Sequence, residues 1–176
     1  QLFVMDEENA CLVLEGEPGE KAPALSLLRR FSAPVNVQIE QPLQESLQLL
    51  AHDDDPFCRW DAAQRLAHQV LLARAEGQRN APVEEALIEA LRQRLSDYDG
   101  HGGQDLAILL ALPGTAELEA LQNPVDPPAL YEAQRGWITE LGRQLADSLH
   151  HLLEVSRDDW SKAWPAGQGG RSRTGL

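Results

Sequence analysis

The densest run of ligand-type side chains is His52-Asp53-Asp54-Asp55. An imidazole beside three carboxylates has the donor chemistry of a metal shell. Consecutive residues point in divergent directions, however, and Asp55 stands directly before Pro56. A carboxylate there caps a helix start, and proline fits the first helical position. Capping is therefore the favoured reading. His150 and His151 are adjacent in a helical pattern, so they lie about 100° apart around the axis and do not share a site. His68 falls in a helical run and His101 among glycines, and both read as ordinary surface or half-buried histidines. Glu84, Glu85 and Glu89 read as a solvated helix face, with Glu85 and Glu89 repelling across one turn. Arg59-Trp60-Asp61 has the residue types of a recognition element. It equally suits a Trp packed in a helical core with charges outside, and packing is the favoured reading for it and for Trp137, Trp160 and Trp164. There is no G-x-S-x-G turn and no G-x-x-x-x-G-K-[ST] phosphate loop. No residue is assigned a catalytic, cofactor-binding or metal-binding role.

The elements that hold these residues change character along the chain. Residues 2–5 and 11–14 are apolar runs of strand length, separated by the turn-like Asp6-Glu7-Glu8-Asn9. Gly16, Pro18, Gly19 and Pro23 mark a loop. Val35, Val37 and Ile39 alternate with polar neighbours, the pattern of a half-buried strand. Three strands make only part of a sheet. After Pro42 the apolar residues recur at helical intervals. One helix is expected over residues 43–51. A second starts at Pro56, with Trp60, Ala63, Ala67, Val70 and Leu71 inward and Gly77 ending it. A third carries Val83, Ala86, Leu87, Ala90, Leu91 and Leu95 on one face, the cleanest amphipathic pattern here.

Leu106, Leu109 and Leu110 give a short helix that Pro113 stops. Thr115 is expected to cap another short one through Leu118 and Leu121. Asp126-Pro127 repeats the Asp-Pro start signal and opens a helix of about 28 residues, roughly 40 Å long. Its broad face holds Leu130, Trp137, Leu141, Leu145, Leu149 and Leu152. Short connections between helices predict antiparallel neighbours. The fold class expected is mainly α: partial β-sandwich strands at the N-terminus, then a stack of antiparallel helices resembling an α-solenoid. The expected divisions are residues 1–41, 42–165 and a glycine-rich, disordered tail, 166–176.

Composition bounds the function. The 176 residues carry a formal net charge of −13. That balance argues against nucleic acid, which needs a basic face, and against anionic membrane surfaces. No apolar run reaches the roughly 18 residues of a membrane span. Cys11 and Cys58 allow one bridge, but their apolar surroundings favour buried free thiols and a reducing, cytoplasmic setting. The start lacks a basic flank, a long apolar segment and a cleavage site, so no signal peptide is read there. Gln1 in place of an initiator Met is expected of a chain that begins inside a longer protein.

The run Ser-Leu-Leu-Arg-Arg-Phe-Ser-Ala-Pro-Val (26–35) with Arg-Trp-Asp-Ala-Ala-Gln (59–64) closely resembles a junction in the bacterial aminopeptidase N family. Leu112-Pro113 with Glu117-Leu118, Asp126-Pro127 with Ala129-Leu130, and residues 141–149 extend the resemblance. The tail at 169–173 departs from the family's pattern. The resemblance implies zinc metallopeptidases with a thermolysin-like catalytic domain, a small β-sandwich and a large helical C-terminal domain. Their zinc is held by an H-E-x-x-H helix and a downstream Glu, and a Gly-Ala-Met-Glu-Asn segment binds the substrate's amino group. Neither motif occurs in this sequence. The resemblance therefore implies a piece of the non-catalytic half, spanning the end of the β-sandwich and the start of the helical domain. Such a piece is not an enzyme by itself. It would help cap the active-site chamber, its partners being the parent's other domains, with zinc and peptide substrates belonging to the parent. The alternatives are a free-standing helical protein-interaction module and a hydrolase with an unrecognised site.

Overall fold

The computed structural model describes residues 24–98, except 36 and 38, and residues 103–155. Seven α-helices lie among the described residues: α1 (Leu43–His52), α2 (Pro56–Ala75), α3 (Ala81–Ser96), α4 (Gly103–Leu109), α5 (Thr115–Leu121), α6 (Pro127–Gln144) and α7 (Ala146–Val155). The mainly helical class expected from the sequence is what is observed. The apolar runs 2–5 and 11–14, Cys11, His101, Trp160, Trp164 and the tail 166–176 lie outside the described residues. Val35, Val37 and Ile39 carry no strand, although their alternation predicts one. A strand is defined by its ladder, and among the described residues no neighbour pairs with them. Val35 and Val37 are instead exposed.

The helix starts follow from side-chain chemistry. The Asp55 carboxylate accepts hydrogen bonds from Phe57 N at 2.9 Å and Cys58 N at 3.3 Å, capping α2 ahead of Pro56. Asp126 does the same for α6 through Ala129 N at 3.1 Å. Both satisfy N–H groups that a helix start leaves unpaired. Helix α2 ends at Gly77, whose φ of +71° is left-handed. Gly77 N bonds Arg74 O and Gln78 N bonds Ala73 O, the paired closure that glycine permits at a helix C-terminus. Thr115 does not cap α5: the cap position is Gly114, with no side-chain bond. Thr115 Oγ1 instead donates to Gln134 Oε1 at 3.3 Å.

Helix α2 is the central post. It packs against α1, α3, α4, α5 and α6, which is why it is buried over much of its girth, at Cys58, Ala62, Ala63, Gln64, Leu66, Ala67, Val70 and Leu71. The alanines let neighbouring helices approach closely. Trp60 is only half-buried and sits beside Phe57, ring centroids 5.6 Å apart, at the edge of the stripe expected to hold it. One contiguous core runs from Leu49 and Leu50 through α2 and α3 to Leu118, Leu130, Trp137, Leu145 and Leu152. Two glutamine amides fasten the α4–α5 connection. Gln64 Nε2 donates to Ala111 O at 2.7 Å, and Gln134 Nε2 to Pro113 O at 2.8 Å.

The long helix expected from residue 127 is two helices. It breaks at Leu145 (φ −108°, ψ 8°). The carbonyl of Gln144 accepts from Arg92 Nη2 at 3.3 Å. A side chain reaching into the backbone ladder is a recognised cause of such a break. The bend lets α7 pack against α3 while Leu145 and Leu152 both stay buried.

Candidate functional site

The most concentrated buried charge lies where the end of α2, the start of α3 and the middle of α6 meet. Glu84 is 2% exposed, although its position beside Glu85 reads as solvated face. Glu85 and Glu89 are exposed as expected. Arg74 Nε donates to Glu84 Oε1 at 3.0 Å and Arg74 Nη2 to Oε2 at 2.8 Å. Arg79 Nη2 adds a third bond to Oε2 at 2.5 Å. Two parallel bonds to one guanidinium are the strong geometry for a carboxylate. The Arg74 guanidinium carbon also sits 4.8 Å from the centroid of the Trp137 ring. Trp137 is fully buried, and its Nε1 has no hydrogen-bond partner among the described residues.

Burial pushes the Glu84 carboxyl upward, but the hydrogen bonds and charges of Arg74 and Arg79 outweigh it and hold it below the usual carboxylate range. Its lone pairs are committed to three guanidinium N–H groups, so it is an ionised acceptor at neutral pH and not a general base. A hollow of about 390 Å³ opens beside the cluster, lined by Arg74, Gly77, Gln78, Arg79, Ala129 and Glu132.

The other sequence-singled residues are dispersed. Asp53 and Asp54 both pair with Arg29, Asp53 Oδ1 at 2.8 Å from Arg29 Nη1. Asp53 Oδ1 also accepts from Asp55 N at 2.8 Å, so Asp53 braces the turn, Asp54 holds Arg29 and Asp55 caps α2. His52, at the end of α1, and the neighbouring His150 and His151, on α7, are all exposed. Arg59 Nη1 donates to Asp53 O at 2.6 Å, and Asp61 pairs with Arg65 one turn along. Cys58 is a buried free thiol, donating to Leu27 O at 3.2 Å. His68 Nε2 lies 3.1 Å from Glu117 Oε1, linking α2 to α5. Burial pushes the His68 imidazole down, against the opposing pull of Glu117. Among the described residues no three His, Cys, Asp or Glu side chains are grouped to hold a metal ion. None of their helices is long and apolar enough to cross a membrane.

The sequence carried one signal for Glu84. It lies on the same helical stripe as Ile88, Leu91 and Leu95, at spacings of four, seven and eleven. An acid on an inward stripe demands a partner. Arg74, ten residues earlier across a turn, has no fixed spacing that announces it.

Residues 43–172 match the family described as a domain of unknown function (DUF3458_C) with ARM repeats. Over 171 residues the chain is 36% identical to aminopeptidase N of Caulobacter vibrioides, covering 96% of this chain and 20% of that protein. It is 33% identical to aminopeptidase N of Escherichia coli over 129 residues, covering 72% of this chain and 15% of that protein. The fold resembles the crystal structure of Legionella pneumophila aminopeptidase A in complex with aspartic acid, with a TM-score of 0.66 and 26% identity over 85% of this chain and 18% of that one. The chain thus spans a fifth or less of the length of these relatives.

Proposed function

Since the chain belongs to the aminopeptidase N family, through the DUF3458_C ARM-repeat region it matches over most of its length, we propose that it is a non-catalytic, helical part of a zinc aminopeptidase that removes N-terminal residues from peptides. Its helices contribute a wall that helps cap the active-site chamber and limits access to it. In this reading residues 1–41 close a β-sandwich, residues 42–165 begin the helical domain and residues 166–176 are a tail. The partners are the parent's remaining domains, and the setting is cytoplasmic. The observation that carries the reading is the family match laid over one continuous helical core. Among the described residues no His, Cys, Asp or Glu set is grouped to hold zinc.

Two measurements test the reading. The purified chain, incubated with an alanine anilide and zinc, should not release the chromophore; turnover that survives removal of contaminants overturns it. In the complete protein that contains this chain, loosening the stack by Glu84→Ala should raise cleavage of long peptides relative to the anilide. An unchanged ratio removes the capping role. An independent start codon just before Gln1 would favour a free-standing interaction module instead.

A further inference from the structure

The turn before α1 holds three side-chain-bearing residues in the left-handed backbone region within four positions: Leu28 (φ 54°), Arg30 (φ 57°) and Phe31 (φ 52°). No glycine stands there to relieve the contact between Cβ and backbone that disfavours this conformation. Such strain persists only where surrounding contacts over-determine it. Burial provides little of them: Phe31 is 58% exposed, Arg30 is exposed and Leu28 is only half-buried. The contacts are four polar ones and one aromatic one, all local to one place. Arg30 N donates to Asp55 Oδ2 at 2.7 Å. Arg29 pairs with Asp53 and Asp54. Leu27 O accepts from the Cys58 thiol. Phe31 meets Phe57 edge to face, with ring centroids 5.4 Å apart. All five partners lie within residues 53–58, the α1–α2 turn and the first turn of α2.

We propose that residues 27–32 form a strap latched onto the α1–α2 turn by Arg29 and Arg30, and that its strained backbone makes it releasable as a unit while the helices stay folded. The latch is ionic and its outer arm is open to solvent: the Arg29 side chain is 44% exposed and that of Asp54 89%, while that of Asp53, the inner arm, is 2% exposed. Dissolved salt therefore weakens the Arg29–Asp54 arm, and it screens the buried Arg74–Glu84 pair much less. Release frees the second oxygen of Asp55 while its cap bonds to α2 remain, and it uncovers the Phe57 ring that Phe31 meets. The strap is thus a salt-responsive joint between the segment leading into α1 and the helical body, a property separate from any peptidase role.

Amide hydrogen exchange on the full 176-residue chain tests this without reference to activity. Arg29→Ala should raise exchange at residues 27–34 by about fivefold, the effect of losing one partly exposed charged latch, with protection in α2, α3 and α6 unchanged. Raising salt to about 1 M should produce the same local rise in the wild type and little further change in the variant. Arg30→Gly keeps the N–H bond to Asp55 and removes one strained residue, so it should slow exchange at the same amides by roughly threefold. Three results each overturn the proposal: Arg29→Ala within twofold of wild type, Arg29→Ala deprotecting the helices as well or failing to fold, or Arg30→Gly exchanging faster than wild type.

Discussion

Removing the Glu84 carboxylate is the sharpest test of the packing. Its two arginines differ in what they can do afterwards. Arg79 has a side chain 66% exposed and can turn into water. Arg74 cannot: its side chain is 15% exposed and its head is held over the buried Trp137 ring. Glu84→Ala therefore strands one largely buried positive charge. Breaking a buried pair this way costs about 3–5 kcal/mol. The residual exposure of Arg74 and the face of Trp137 compensate in part, placing the expected loss near 3 kcal/mol. For a chain of this length that lowers Tm by about 6–12 °C. Urea unfolding at pH 7 followed by helical circular dichroism, with scanning calorimetry, reads both numbers. The double variant Arg74→Met with Glu84→Met should recover most of the loss, because an apolar pair of similar volume replaces the ions without stranding either. The acid dependence has a definite sign. The Glu84 carboxyl titrates below its ordinary value in the fold, so its contribution is present above the ordinary carboxylate range and is lost as pH falls through the folded value. The gap between wild type and Glu84→Ala should therefore close in acid. A loss below about 1 kcal/mol at pH 7 would refute the reasoning, since surface pairs are worth that little.

Three other changes probe separate parts of the argument. Asp55→Ala removes the cap of α2 and the acceptor of Arg30 N, and should cost about 1–2 kcal/mol in denaturant titrations, while Asp55→Asn recovers much of it. The His68 imidazole is held below its ordinary value, so folding favours its neutral form. Wild-type stability should decline as pH falls through the ordinary histidine range near 6.5, and His68→Gln should flatten that decline in unfolding curves taken between about pH 7 and 5. Gly77→Ala meets no atom within 4 Å of the added Cβ, yet it should cost about 1–2 kcal/mol by calorimetry, because the price is the left-handed backbone and not crowding.

The helical part was legible because its signals are local. Asp55-Pro56 and Asp126-Pro127 announce starts within two residues, and the structure places caps at both. Gly77 announces the end of α2 for the same reason: only the residue type and its own φ matter there. What escaped depends on partners distant in sequence. The apolar stripe after Asp126 continues past residue 145 without a Gly or Pro to interrupt it, yet the helix breaks there. The interrupting group is the guanidinium of Arg92, more than fifty residues earlier. Glu84 was misread for the same reason. A helical net places it beside Ile88 and Leu91, but burial of an acid is tolerable only with a countercharge, and Arg74 comes from another helix.

The strained turn at residues 28–31 marks the limit of local reading most clearly. Leu-Leu-Arg-Arg-Phe contains no residue that favours a left-handed backbone, so propensity alone points away from what is observed. The conformation follows from the three aspartates that face it, which the sequence shows only as a candidate ligand cluster. One run of residues thus carries two readings, and geometry separates them. Each carboxylate is already engaged by a helix start or a guanidinium, so Asp53, Asp54 and Asp55 hold the neighbouring segment in place, and His52 stays exposed.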